Sequence, residues 1–233
     1  MLKVDLHTHT SDDPVDRIPY STCELIDRAA ALGYDAVAIT LHDRQLDVAP
    51  LSSYAAERGI VLIPGIERTI DGRHVLLLNF SEASEAVSSF ADLARLKQHE
   101  DGLVVAPHPY FPAVHSLFGL LSQYADLFDA VEYNAMYAVG LNFNLPAVRW
   151  ARAHGKPLVG NSDAHRLPQL GATWSLVDAE RDPAAICRAI RVGHVRLVTT
   201  PLSWATAIRV MSALLASPGR FTPRRTPVFE VAR

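Results

Sequence analysis

The segment DLHTHTSDDP, residues 5–14, sets two histidines one residue apart at the end of an apolar run, with Asp5, Asp12 and Asp13 beside them. Residues i and i+2 of a strand face one side, so His7 and His9 can hold one cation between them. Neutral imidazole is a ligand for zinc and its neighbours. The same side-chain types recur down the chain. His42 stands in ITLHD, Glu67 in IPGIE, His74 in GRHVLL and His108 in VAPHP, and Asp163 and His165 repeat the i, i+2 spacing in GNSDAH. Glu67 is a carboxylate placed where it can bridge two cations. A lone HxH arises by chance, and His74 taken alone can equally cap a hairpin. Six histidines interleaved with carboxylates point instead to a metal site built from nitrogen and oxygen ligands.

These residues share a location. LKVDLHTH, DAVAIT, IVLIPGIE, RHVLLLNF, LVVAPH, DAVEYN, PLVGNSDAH and VRLVTT read as strands, and the candidate ligands stand at or beside their ends. Between them STCELIDRAAALGY, LSSYAAERG, SEAVSSFADLARLKQHE, NLPAVRWARAHG, PAAICRAIRVG and LSWATAIRVMSALLAS read as helices. Ser21 or Thr22 caps the first helix and Gly33 ends it. Asp71-Gly72 turns RHVLLLNF back on the strand before it. Repeated strand-then-helix units with continuously apolar strands imply an α/β fold around a mostly parallel, buried sheet. A barrel fits better than an open sheet, because polar residues gather after the C-termini of several different strands, where α/β barrels build their sites.

The chain has 233 residues, 49% of them hydrophobic and 20% charged, which gives ample core for one large domain or two small ones. We read one domain, with residues 1–200 as the barrel and residues 201–233 as a helix and Pro- and Arg-rich tail belonging to it. Net charge is -3 with no long block of one sign, which argues against a nucleic-acid wrapper or a polybasic membrane segment. No apolar run is long enough to span a bilayer. Cys23 and Cys187 are too few and too far apart for a disulfide framework, so a cytoplasmic setting is expected.

Taken together, DLHTHTSDDP, AITLHD, GIE, RHVLLL, APHP and NSDAH resemble the polymerase and histidinol phosphatase (PHP) superfamily, in order from Leu2 to Val198. The resemblance implies a distorted seven-stranded β/α barrel of the PHP type, two or three zinc, manganese or iron ions, and hydrolysis of phosphoesters. Carried over residue by residue, it implies His7, His9, Glu67 and Asp163 on one metal. Glu67 would bridge to a second metal held by His74 and His108, and Asp12, His42 and His165 would hold a third. Two departures stand out. The family's Ser-Asp-Gly is Ser11-Asp12-Asp13 here, so the two acids compete for one role and Asp12 is the better match. The family's Thr-Asp-His is Thr40-Leu41-His42, and the missing acid is not usually a ligand.

The chemistry expected of such a site follows from charge. Water on a divalent cation ionises near neutral pH and becomes a hydroxide nucleophile, while further cations neutralise charge on the phosphoryl and leaving oxygens. Glu67, Asp163 and His165 are the residues expected nearest that chemistry. A cationic side chain should meet the phosphate. Arg166, directly after His165, is the first candidate and Arg44, two residues past His42, the second; Arg68 and Arg73 adjoin ligands and should point away. A small phosphate monoester is the expected substrate, with nucleotides or oligonucleotide ends as the alternative, since no basic, aromatic-interleaved groove is legible. An amidohydrolase would want a lysine at a strand end, but Lys97 lies in a helix and Lys156 precedes a strand. A non-catalytic zinc module would favour thiolates, and neither cysteine is in the cluster. His115 follows the PHPYFP loop and can reach the mouth. Glu132 and Asn134 share one side of a strand, where they either support ligands or satisfy buried backbone. Trp150, Trp174 and Trp204 read as packing residues. The final helix offers Trp204, Ile208, Met211 and Leu215 to the barrel or to a second subunit.

Overall fold

Residues 1–215 are described in the computed structural model of the chain. Along the chain run β1 (Leu2–Asp5), α1 (Thr22–Ala31), β2 (Ala36–His42), α2 (Ser52–Glu57), β3 (Val61–Ile70), β4 (Arg73–Leu78), α3 (Phe90–His99) and β5 (Leu103–Ala106). They are followed by α4 (Gly119–Gln123), β6 (Ala130–Asn134), α5 (Leu145–Ala153), β7 (Leu158–Asn161), β8 (Thr173–Val177), α6 (Pro183–Arg191), β9 (Val195–Thr199) and α7 (Trp204–Leu215). The tail expected beyond α7 lies outside the described residues.

Local chemistry sets the boundaries. Ser21 caps α1 in a reciprocal box with Glu24, and Gly33 leaves the helix at φ 70°. The segment SEAVSSFADLARLKQHE, read as one helix, divides in two. A short 3-10 turn spans Glu82–Ala86, and Ser89 then starts α3 in a box with Asp92. The β3–β4 hairpin turns on Asp71 and Gly72, both at positive φ, as the Asp-Gly pair suggested.

One nine-stranded sheet takes the order β7-β6-β5-β4-β3-β2-β1-β8-β9. Strands β1 to β7 follow each other round in chain order, and the turn closes past the strand ends, where Thr8 bridges Ala164 in parallel. This is the distorted barrel expected. Two features differ from the mostly parallel reading. Strand β4 is antiparallel to both neighbours, and β8, which the sequence reading left unassigned, joins β9 in an antiparallel ribbon beside β1. Ser175 of β8 reaches β7 through Gly160, donating to its carbonyl at 3.2 Å and accepting from its N–H at 2.9 Å.

Strand β2 shows how the core is divided. Ala36 and Ala38 face a cluster with Val4, Ile63, Leu76, Val105 and Val159 inside the barrel, while Val37, Ile39 and Leu41 pack outward against Leu25, Ile26 and Ala29 of α1. Helix α6 inserts Ile186, Cys187 and Ile190 into the inner cluster and bonds through Arg191 to Asp101 and Gly102, just before β5. It therefore stops the barrel at the strand starts, leaving the opposite end for chemistry. No helix among the described residues is long and apolar enough to cross a membrane.

Candidate metal centre

Strand β1 ends at Asp5, yet the chain beyond it stays extended because neighbours on both sides hold it. Leu6 N–H donates to Asn161 Oδ1 at 3.0 Å and His9 N–H to the Ala164 carbonyl at 3.2 Å. Thr8 meets the β2 side, its hydroxyl donating to the Ala38 carbonyl at 2.6 Å. Asp5 is fully buried and accepts from the N–H groups of His7 and Ser162. Burial pushes its carboxyl up to about 7, against the opposing pull of Ser162 and His7. With Thr8 fixed sideways, His7 and His9 share the inward face.

Their Nε2 atoms are buried and make no hydrogen bond. His7 Nε2 lies 3.4 Å from both Glu67 Oε2 and Asp163 Oδ1, and His9 Nε2 lies 3.4 and 3.5 Å from the same two oxygens. Four ligands set tetrahedrally at about 2.1 Å from one ion stand about 3.4 Å apart. The donor types, the two orphaned nitrogens and the spacing all fit a divalent cation. Glu67 then turns its other oxygen to a second group. Oε1 is 2.8 Å from His74 Nδ1 and 3.0 Å from His108 Nε2. Nitrogens of His9, His42 and His165 form a third group within 4.8 Å of one another.

At this third group the expected acid is not the one present. Asp12 is exposed and accepts from the hydroxyls of Thr22 at 2.9 Å and Thr10 at 3.4 Å, so the structure does not bring it to the cluster. Asp13 is buried there instead. Its Oδ2 takes the Nδ1 of His9 at 3.0 Å and of His42 at 2.9 Å. Asp16, which the sequence reading did not single out, puts Oδ2 at 2.9 Å from His165 Nε2. Glu132 holds a candidate ligand as Asp13 does, with Oε1 at 2.8 Å from His7 Nδ1, and Asn134 bonds both Glu132 and Asp163. A carboxylate on one ring nitrogen of a histidine fixes its tautomer and leaves the other nitrogen free to ligate.

The electrostatics suit a cation. Burial works to raise the Glu67 carboxyl, but the imidazoles of His74, His7 and His42 outweigh it and hold it well below the usual carboxylate range. Asp163 is held low in the same way, burial being overcome by His7, His9 and His165. Both stay ionised. Asp163 and His108 take positive φ, 49° and 28°, conformations that polar side chains tolerate and that cluster at functional sites.

Arg166 Nη1 donates to the His165 carbonyl at 2.8 Å, and Arg44 is exposed two residues past His42. Arg68 points away to Asp43 at 2.7 Å, and Arg73 to the carbonyls of Val114 and Ser116. His115 stacks on His74 with ring centres 4.4 Å apart and planes 3° from parallel. Trp150 packs as expected, its Nε1 bonding Ser122, whereas Trp204, Ile208 and Met211 of α7 are exposed; the Leu215 side chain lies outside the described residues.

Comparison with known proteins adds to this geometry. Residues 142–195, which include Asp163 and His165, match the family described as PHP-associated. PsfC from Pseudomonas syringae has the same fold, with a TM-score of 0.66 and 20% identity over 92% of this chain and 97% of that one. A Bifidobacterium adolescentis protein assigned as a metal-dependent phosphoesterase aligns with a TM-score of 0.52 and 18% identity over 70% of this chain and 87% of its own. The family match covers that one segment, and the solved structures share the fold. The fold is also shared by the lesion-specific endonuclease Q of Pyrococcus furiosus, with a TM-score of 0.57 and 17% identity over 90% of this chain and 66% of that one. No curated protein matches the sequence significantly.

Proposed function

We propose that this protein is a PHP-type metal-dependent hydrolase of phosphoesters, and that its substrate is a small phosphate monoester. One observation carries the reading: buried Glu67 divides its two oxygens between His7 and His9 on one side and His74 and His108 on the other. That is the arrangement of a carboxylate between two cations. In this reading His7, His9, Glu67 and Asp163 hold the first ion, and Glu67, His74 and His108 the second. Asp16, His42 and His165 hold a third, with Asp16 replacing Asp12 in the expected set. Divalent zinc, manganese or iron, when bound, supplies Lewis-acid stabilisation of phosphoryl charge and a water acidic enough to ionise near neutral pH.

The chain's own residues do the rest. Asp13 and Glu132 bond the Nδ1 atoms of His9, His42 and His7, which fixes these rings so that Nε2 is the nitrogen offered to an ion, and Glu67 and Asp163 supply negative charge. Arg166, anchored beside His165, is the phosphate partner we favour, with Arg44 second. The likeness to endonuclease Q, one of whose structures carries a 27-mer duplex with an abasic lesion at the active site, supports phosphodiester cleavage as the second reading. The test is elemental analysis of purified protein. It is followed by hydrolysis of 4-nitrophenyl phosphate, bis(4-nitrophenyl) phosphate and a single-stranded oligonucleotide with added manganese, zinc or iron. Monoester turnover is expected to lead. Preference for the diester or the oligonucleotide favours the second reading, and no bound metal with no turnover of any of the three overturns both.

A further inference from the structure

Two loops rise from the ligand-bearing end of the barrel, residues 108–118 after β5 and 134–144 after β6. Their 22 residues contain no Asp, Glu, Lys or Arg, yet they hold Tyr110, Phe111, Phe118, Tyr137 and Phe143. Phe111 meets the His108 ring edge-on at 6.3 Å between centres, and Phe143 lies 5.7 Å from Phe111. Both phenylalanines are half-buried, so part of each ring is left to solvent beside a ligand of the second ion site. This is not the arrangement of a satisfied core, which would bury both rings.

Both loops are braced. Phe111 N–H donates to the His108 carbonyl at 3.1 Å, Ser116 Oγ to the same carbonyl at 3.1 Å, and Phe118 N–H to the Pro109 carbonyl at 2.9 Å. The second loop is tied at its base by a pair of hydrogen bonds: Asn134 N–H donates to Asn144 Oδ1 at 2.8 Å, and Asn144 Nδ2 to the Asn134 carbonyl at 2.9 Å. Rings already fixed in place lose little entropy when a ligand settles on them. Phe118 even takes φ 47° and ψ −122°, a conformation costly for a residue with a side chain and kept only where the surroundings impose it.

From this lip we infer that the protein selects phosphoesters whose alcohol carries an uncharged flat ring, held against Phe111 and Phe143 while the phosphate lies at the ion sites. The inference rests on the phosphoesterase reading and narrows it. A nucleic-acid backbone continuing across these loops would meet no Lys or Arg of theirs, and Arg73, which reaches the first loop, is engaged by the Val114 and Ser116 carbonyls, whereas such backbones are held chiefly by Lys and Arg. A flat ring meets aromatic rings, whose stacked or edge-to-face contacts add to the burial of area. Phe111 and Phe143 are thus specificity-determining residues, and neither takes part in the chemistry.

The experiment compares phenyl phosphate with glycerol phosphate on manganese-loaded wild type, Phe111→Ala, Phe143→Ala and Phe143→Leu. The last variant keeps apolar bulk and loop packing while removing the ring. Wild type should favour phenyl phosphate, and each alanine variant should lower the kcat/KM ratio of phenyl to glycerol phosphate by about tenfold, mainly through KM. Phe143→Leu should lower it as well. An unchanged ratio in all variants, or no preference in wild type, overturns the inference. Calorimetry with phenylphosphonate and methylphosphonate separates it from the activity reading. If neither ester is cleaved, the phosphoesterase reading fails, while tighter binding of phenylphosphonate that disappears in the variants still upholds the aromatic lip. Equal binding of the two phosphonates to wild type overturns it.

Discussion

Asp13→Asn is the most informative single change at the candidate centre. The Asp13 carboxylate accepts from five donors. His9 Nδ1, His42 Nδ1 and His42 N–H reach Oδ2 at 2.9 to 3.0 Å, and Val15 and Asp16 N–H reach Oδ1 at 2.9 Å. Asparagine has one acceptor oxygen. If that oxygen faces the histidines, the amide NH2 confronts the Val15 and Asp16 N–H groups; turned round, it confronts the other three. At least two donors lose their acceptor, at about 1–2 kcal/mol each, so a loss of about 2–4 kcal/mol is expected. For a chain of this length that lowers the melting temperature by roughly 5–15 °C. Freed from Asp13, His9 and His42 also lose the constraint that aims Nε2 into the candidate centre, and on the proposed ligand set such a change typically costs about 10–100-fold in metal affinity. Asp12→Asn is the control. Asp12 is exposed and accepts only from hydroxyls, so stability should move by less than about 0.5 kcal/mol. Differential scanning fluorimetry and manganese titration of both variants decide the matter. An Asp12→Asn loss as large as that of Asp13→Asn, or an Asp13→Asn protein that melts and binds like wild type, would refute the reasoning.

Glu67→Gln should retain the fold but bind fewer ions per chain by elemental analysis and lose orders of magnitude in turnover, since an amide cannot neutralise two cations. Gly160→Ala should destabilise the protein by about 1–3 kcal/mol in urea melts, because a Cβ there would stand 2.5 Å from Leu197 and 2.7 Å from the Trp174 carbonyl. Burial pushes the Cys187 thiol up to about 12 from 9.0; its stabilising contribution is therefore complete below pH 9 and falls away as pH climbs towards 12, by up to ~4 kcal/mol. The stability advantage of wild type over Cys187→Ala should accordingly shrink between pH 8 and pH 11, and a constant difference would refute it.

The parts of the centre that lie on or directly after strands were readable, because strand periodicity dictates which side chains share a face. His7 and His9, and the positions of Glu67, His74 and His108, needed only that rule. Asp16 was not readable. It sits in a loop, and its partner His165 is 149 residues away, a pairing that no local pattern encodes. The choice between Asp12 and Asp13 failed for a related reason: beyond Thr10 the chain leaves the extended form, and strand alternation no longer says which acid turns inward. Strand β8 was missed because its polarity runs against the usual rule. Two of its three buried residues, Thr173 and Ser175, are polar, while Trp174 and Leu176 are half-exposed, since Ser175 is needed to bond Gly160 across the seam. The single long helix expected over residues 84–100 was broken by Ser89, a capping residue hidden inside an otherwise helical run.

Closure of the barrel and assembly of the centre are one physical event. His7, His9, Asp163 and His165 all lie past the ends of β1 and β7. They meet because the Thr8–Ala164 bridge, the Asn161 bond to Leu6 and the Tyr20 hydroxyl on Ala164 hold those two extensions side by side. On the proposed ligand set, an ion shared by His7, His9 and Asp163 is a further tie across the same seam, present in the folded chain and absent once the seam opens. A ligand that binds only the folded state stabilises it by RT ln(1 + [L]/Kd), about 2.7 kcal/mol at a hundredfold excess over Kd, which is roughly 5–10 °C of melting temperature here. Melting should therefore climb with manganese or zinc concentration in wild type. It should climb far less in Asp163→Asn, whose amide retains the seam's backbone bonds but lacks the charge to hold the ion. Equal metal-dependent shifts in the two proteins would show that the stabilising cation binds elsewhere, and that the barrel closes independently of its centre.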